Sequence, residues 1–282
     1  MVKAIDIWHM PFTPALMKKA YIDTKEQYDV LEWWGLLDRV KGRTPKEFVA
    51  DMDDAGIDKA IIPAAKFKSF KDQEMQWDFS TEEIYDSIKD YPDRLYGVYG
   101  VNAYTRMDGV REFERAVKEF NFIGAHIHTY GFELPYNHRR YYPFYTKCVE
   151  LDVPVIMQVG HSAEFMPSAM GRPIDLDDIA LDFPELRIVA AHTGWPWIEE
   201  MIAVSWKHPN VYIATTAHAP KYWDPALVSY LNTRRGIGKV MYGSDFPVLE
   251  WKMCLKQIAE RGLKEEAKLS LLYDTAMKVF KF

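Results

Sequence analysis

Short apolar, β-type runs alternate with segments of helical period along almost the whole chain. Eight runs read as strands: residues 2–8, 59–63, 95–101, 122–128, 154–159, 187–191, 211–214 and 239–242. Between them the period lengthens, predicting helices over 45–55, 81–91, 109–120, 140–151, 176–183, 196–208, 225–233 and 251–261. Such alternation calls for parallel strands joined by helical crossovers. The near-continuous apolar stretch Val153-Pro154-Val155-Ile156-Met157 suits a sheet covered on both faces.

Eight strand–helix units in about 250 residues is the size of a closed (β/α)8 TIM barrel. An open doubly wound sheet is the competing arrangement. It usually has fewer strands and a glycine-rich phosphate loop after the first, and no such loop follows Trp8. Two segments fall outside the repeat. Residues 11–44, rich in Trp, Tyr and Leu, read as an insertion after strand one, and residues 265–280 as a C-terminal amphipathic helix on the barrel exterior. No linker or low-complexity tract divides the chain, so residues 1–282 are expected to form one barrel domain.

Composition narrows the function classes. The net charge is −6, and Lys and Arg are scattered, which argues against a nucleic-acid footprint or a membrane-surface patch. The two cysteines, Cys148 and Cys254, are too few for a disulfide framework or a cysteine zinc site. With no long apolar run and no basic, apolar leader pattern, the expectation is a cytoplasmic protein with a small-molecule substrate. Aromatic residues reach 15%, which suits an aromatic-lined cavity as well as a thick core.

In a barrel of this kind the chemistry gathers at the carboxyl ends of the strands. Five of the eight histidines, His9, His126, His128, His161 and His192, fall in or just after such ends, and Asp245 follows strand eight. His138, His208 and His218 lie in loops or helix ends. Imidazoles and a carboxylate converging from separate strands are the donors a divalent ion such as Zn²⁺ prefers. Asp245 also suits a plain turn before Phe246-Pro247. His126 and His128, two apart, share one face of strand four: inward they reach the pocket, outward they pack against helices. Trp33 and Trp34 in the insertion suit either a lid over the mouth or packing.

Six segments in order carry a family resemblance. They are Ala4-Ile5-Asp6-Ile7, the stretch 51–62 leading into strand two, Tyr91-Pro92-Asp93-Arg94 before strand three, Phe122-Ile123-Gly124-Ala125-His126-Ile127-His128, Ala191-His192-Thr193-Gly194, and Gly243-Ser244-Asp245-Phe246-Pro247. Together they resemble the amidohydrolase-2 branch of the amidohydrolase superfamily, the aminocarboxymuconate-semialdehyde decarboxylase-like family. The resemblance implies a TIM barrel and metal ligands at His161 and Asp245, with His192 as the acid/base.

Two departures from the family pattern stand out. Relatives commonly carry His-x-His on strand one; here Ile7 stands two positions before His9, so either His9 is a single further ligand with Asp6 beside it or strand one gives no ligand at all. On strand four His126 takes a position that is often lysine, and His128 is retained. These two, with Arg140 in the following loop, are expected to bind substrate; Arg139 and Arg172 are further guanidinium candidates.

The implied cofactor is one divalent ion, zinc or else manganese, activating water for hydrolysis of a small carboxylated or cyclic compound, aromatic or lactone. Nonoxidative decarboxylation of an aromatic or muconate-type acid would use the same parts. A metal-independent lactonase with Asp245 as base, or a noncatalytic ligand-binding barrel, would suit the altered strand one. Dimers are common among such relatives, so a homodimer is the assembly the resemblance allows.

Overall fold

The computed structural model describes residues 3–282, so Val2, at the start of the first expected strand, lies outside the described residues. Eight parallel strands form one curled sheet: β1 (Ala4–Asp6), β2 (Ile57–Ala64), β3 (Leu95–Gly100), β4 (Ala125–Ile127), β5 (Val155–Gln158), β6 (Ile188–Ala191), β7 (Val211–Ala214) and β8 (Val240–Met241). They pair in chain order. At the seam the Ile7 N–H donates to the Tyr242 carbonyl at 3.1 Å and the Asp245 N–H to the Trp8 carbonyl at 2.8 Å, joining the last strand to the first. The architecture is the (β/α)8 TIM barrel.

The strands follow from burial. β5, β6 and β7 are buried along their whole length, which only near-continuous apolar runs tolerate. Six of the strands are shorter than their apolar runs, β7 matches its run, and β2 extends beyond its run at both ends.

Helices begin where the sequence supplies caps. Thr44 and Ser80 each accept from the N–H three residues on, and Glu47 and Glu83 reach back to the cap N–H. Each such box stabilises its helix by about 1 kcal/mol. Helix Pro45–Ala55 ends at Gly56, whose φ of 79° is left-handed and suited to glycine. The C-terminal segment is helical in three pieces, Glu265–Leu269, Ser270–Asp274 and Thr275–Phe280, and meets the seam where the Tyr242 N–H donates to the Leu271 carbonyl at 3.0 Å.

Two excursions roof the carboxyl ends. The insertion after β1 contains helices Pro14–Met17 and Lys25–Trp33, joined by a wider turn, Lys18–Ile22. The second excursion, an antiparallel hairpin of Lys66–Lys68 with Met75–Asp78, has no apolar signature and is absent from the sequence reading. Trp77 of the hairpin donates its indole N–H to the Ala20 carbonyl at 2.8 Å, and Lys19 pairs with Glu83 at 2.7 Å. Among the described residues no helix is long and apolar enough to cross a membrane.

Candidate active site

A cavity of about 640 Å³ opens under this roof. The barrel contributes Gln158 from β5, His161, Ser162 and Glu164 from the loop after it, His192 after β6, His218 after β7 and Asp245 after β8. The roof adds Tyr21, Gln27, Trp33 and Trp34 from the insertion and Trp77 from the hairpin. Among the described residues no Lys or Arg side chain lines it.

Asp245 is built by the β8–β1 seam. Its own backbone is left-handed, with φ 58°, a conformation that costs a non-glycine residue about 1–3 kcal/mol and that the surrounding structure must hold. Its Oδ1 accepts from the Trp8 indole N–H at 2.8 Å. Burial pushes the carboxyl up to about 7; the Trp8 hydrogen bond lowers it, and the charges of Glu164 and Asp6 raise it.

His192 is equally constrained, with φ 65°. Its backbone N–H donates to the Thr216 hydroxyl at 2.8 Å, so that hydroxyl is free to give its own proton to Nδ1, 2.9 Å away. The neutral ring then carries its hydrogen on Nε2. Burial first, then the neighbouring His218, pulls its pKa down to about 4, so His192 is a neutral donor at pH 7.

A second acid lies across the cavity. Glu164 accepts from Ser162 Oγ at 2.7 Å and faces His128 Nε2 at 3.4 Å, while His128 Nδ1 accepts the Gly131 N–H at 3.2 Å. Burial pushes Glu164 up, but the hydrogen bonds from His128 and Ser162 outweigh it and hold this carboxyl well below its ordinary range. Near neutrality one acid is firmly ionised and the other is poised. His161 stands at the exposed lip, its Nδ1 3.0 Å from Ser168 Oγ and its ring edge-on to Trp195. Gly160 before it has φ 105°, and a Cβ there would lie 2.5 Å from the Trp195 carbonyl, so only glycine lets the two loops touch.

The sequence model of the amidohydrolase family matches residues 5–282. The chain belongs to the amidohydrolase family. It is therefore an amidohydrolase-related enzyme. The fold is shared with an uncharacterized TIM-barrel protein from Bordetella bronchiseptica, with a TM-score of 0.80, 20% identity, and coverage of 99% of this chain and 98% of that one. It is also shared with 5-carboxyvanillate decarboxylase from Novosphingobium aromaticivorans complexed with manganese and 4-hydroxy-3-methoxy-5-nitrobenzoic acid, with a TM-score of 0.71, 19% identity, and coverage of 99% and 96%. In sequence the chain is 35% identical over 123 residues to 2-keto-4-carboxy-3-hexenedioate hydratase from Sphingobium sp. (strain NBRC 103272 / SYK-6). That match spans 37% of this chain and only 36% of the hydratase.

The amidohydrolase resemblance raised expectations that the geometry sorts. His161, His192 and Asp245 line one cavity. His9 does not join them: it lines a separate cavity of about 430 Å³, because alternate residues of an extended strand point to opposite sides and Trp8 and Met10 hold the inward side. His126 lies beneath the cavity against Trp8, at 4.5 Å between ring centroids, with neither ring nitrogen hydrogen-bonded. His128 reaches the cavity only through Glu164. Arg140 stacks on Tyr104 away from the cavity, and Arg172 pairs with Glu200 at 2.8 Å.

Manganese is bound in decarboxylases of the same fold, which supports a divalent ion in such barrels and does not single out zinc. Among the described residues of this chain, however, no three His, Cys, Asp or Glu side chains are arranged to hold one. Glu164, Trp8, Thr216 and His218 were missed in the sequence; only their nearness to strand ends marks them.

Proposed function

We propose that this enzyme uses acid–base chemistry at Asp245 to add water to a small cyclic compound, hydrolysing a lactone or similar ring ester. The observation that carries the reading is the Asp245 carboxylate, held by one tryptophan N–H and bordering a ring-sized space that His192 also borders. In this scheme the Asp245 carboxylate takes a proton from water as the water oxygen bonds to the ring carbonyl carbon. The His192 Nε2–H donates to the carbonyl oxygen as it becomes an oxyanion. When the C–O ring bond breaks, the departing oxygen takes its proton back from Asp245.

Two further features support the substrate class. The walls are aromatic, from Tyr21, Trp33, Trp34, Trp77, Tyr130 and Trp195, which suits a flat ring. With no Lys or Arg among the described lining residues, and Glu164 ionised, an uncharged ring is favoured over a multiply carboxylated one. The hydratase relative by its name also adds water, but to an open-chain, multiply carboxylated acid, so it supports the use of water and not the uncharged ring.

Nonoxidative decarboxylation is the second reading, supported by the decarboxylases that share the fold and by an Asp245 proton affinity close to neutrality. There the protonated carboxyl gives its proton to a ring carbon and the C–C bond to the substrate carboxylate breaks, releasing CO₂. The pH profile separates the two. A general base must be ionised, so lactone hydrolysis predicts kcat/KM rising with pH to a half-plateau near 7. An acid must be protonated, so CO₂ release from hydroxybenzoates with kcat/KM falling through the same pH would overturn the hydrolytic reading. A panel of lactones and hydroxybenzoates, with products followed by NMR, decides.

A further inference from the structure

The segment leaving β1 sends alternate side chains to opposite sides. His9 enters a box formed by Phe48, Phe246 and Trp251, at 4.7, 5.1 and 5.1 Å between ring centroids, and its Nδ1–H donates to the Met10 carbonyl at 2.7 Å. That packing fixes the register. Trp8 and Met10 are left facing inward, Met10 on the cavity wall and Trp8 against Asp245.

We propose that this cavity carries no resident divalent ion, and that the Trp8 indole N–H occupies the side of Asp245 where such an ion would sit. A zinc- or manganese-like ion needs converging lone pairs from imidazole or carboxylate. Trp8 offers none, because an indole N–H is a donor only. Met10 offers a thioether, a soft and weak ligand for a hard ion. The N–H directs a positive dipole at Asp245 Oδ1 from 2.8 Å, which holds the carboxylate and repels a cation from that oxygen. Beneath, the Trp8 ring lies on His126 and fills the space between strand one and strand four. A tryptophan thus does for the carboxylate what an ion would do, fixing its orientation without supplying Lewis acidity.

The inference extends the acid–base reading but is measured without turnover, so either can fail alone. Untagged full-length protein is stripped with a chelator, equilibrated with excess Mn²⁺ or Zn²⁺, desalted and assayed for metal by mass spectrometry. Wild type and Asp245→Asn are expected to hold far less than one ion per chain. The double variant Trp8→His/Met10→His, checked for folding by circular dichroism and melting, is expected to gain about one ion per chain, lost again when Asp245→Asn is added. A stoichiometric ion in wild type that Asp245→Asn abolishes would overturn the proposal. One that Asp245→Asn leaves in place is traced with His161→Ala and Glu164→Gln, which line the same cavity: its loss in either would also overturn the proposal, and its persistence in both places the ion outside the cavity. A folded double variant that gains no metal would overturn the assignment to Trp8 and Met10; if the double variant does not fold, the wild-type comparison alone decides.

Discussion

Two carboxylates, Asp6 buried and Asp245 half-buried, sit side by side at the barrel seam, and tryptophan N–H groups hold both. Asp6, on β1, accepts from the Ser244 N–H at 2.8 Å, the Ser244 hydroxyl at 2.5 Å, the Trp251 indole at 2.6 Å and the Trp8 N–H at 3.2 Å. Asp245, one residue past Ser244, accepts from the Trp8 indole at 2.8 Å and otherwise borders the cavity. Burial raises both, Asp6 to about 6 and Asp245 to about 7. A carboxylate whose lone pairs are all engaged fastens strands together; one left partly free is available to a proton and to a substrate. The same residue type beside the same seam is thus structural in one place and chemical in the other.

The contrast can be broken from either side. Asp245→Asn keeps the Trp8 hydrogen bond but removes the titratable oxygen, so kcat/KM should fall about 10²–10⁴-fold with the melting temperature held or raised. If activity survives, Asp245 is not the acid/base. Asp6→Ala should do the reverse. It strands four donors in the seam and should lower the unfolding free energy by about 3 kcal/mol or more in urea titration, with activity per folded molecule comparatively preserved.

Smaller effects sharpen the picture. Thr216→Val removes the proton donated to His192 Nδ1 and frees the ring to change tautomer; kcat should drop about 10-fold with KM little changed. An equal loss in KM would assign Thr216 to packing instead. Arg140→Ala should leave KM within about twofold of wild type, since its guanidinium stacks on Tyr104 outside the cavity, and stability should change by about 0.5 kcal/mol at most.

Much of this was legible in the sequence. All eight barrel strands lie inside or across the apolar runs, since a sheet buried on both faces leaves a period-free hydrophobic signal. Helix Pro45–Ala55 was predicted to the residue, because Thr44, Pro45 and Gly56 mark its ends. The Lys66–Lys68 hairpin was missed because its alternation is short and charged. His161, His192 and Asp245 could be placed because each ends a strand.

His9 was misplaced for a different reason. Residue type suggested a ligand, but the side of the strand is decided by pleat and by which rings pack behind it, and a one-residue offset inverts every direction. Glu164 and His218 sit within loops, three residues past His161 and four past the end of β7, where no local period tells which side chain folds back over the cavity.

The roof carries a consequence of its own. It is stitched from two segments far apart along the chain, with Trp77 bonded to the Ala20 carbonyl and Lys19 to the Asp78 carbonyl, and neither segment belongs to the strand ends that bear Asp245 and His192. Proton handling and the choice of guest molecule are therefore separable parts. Exchanging residues 14–39 together with the Lys66–Asp78 hairpin would retune which molecules enter while leaving the reactive floor as it is, a route by which one barrel can diversify its chemistry's clientele without rebuilding its chemistry.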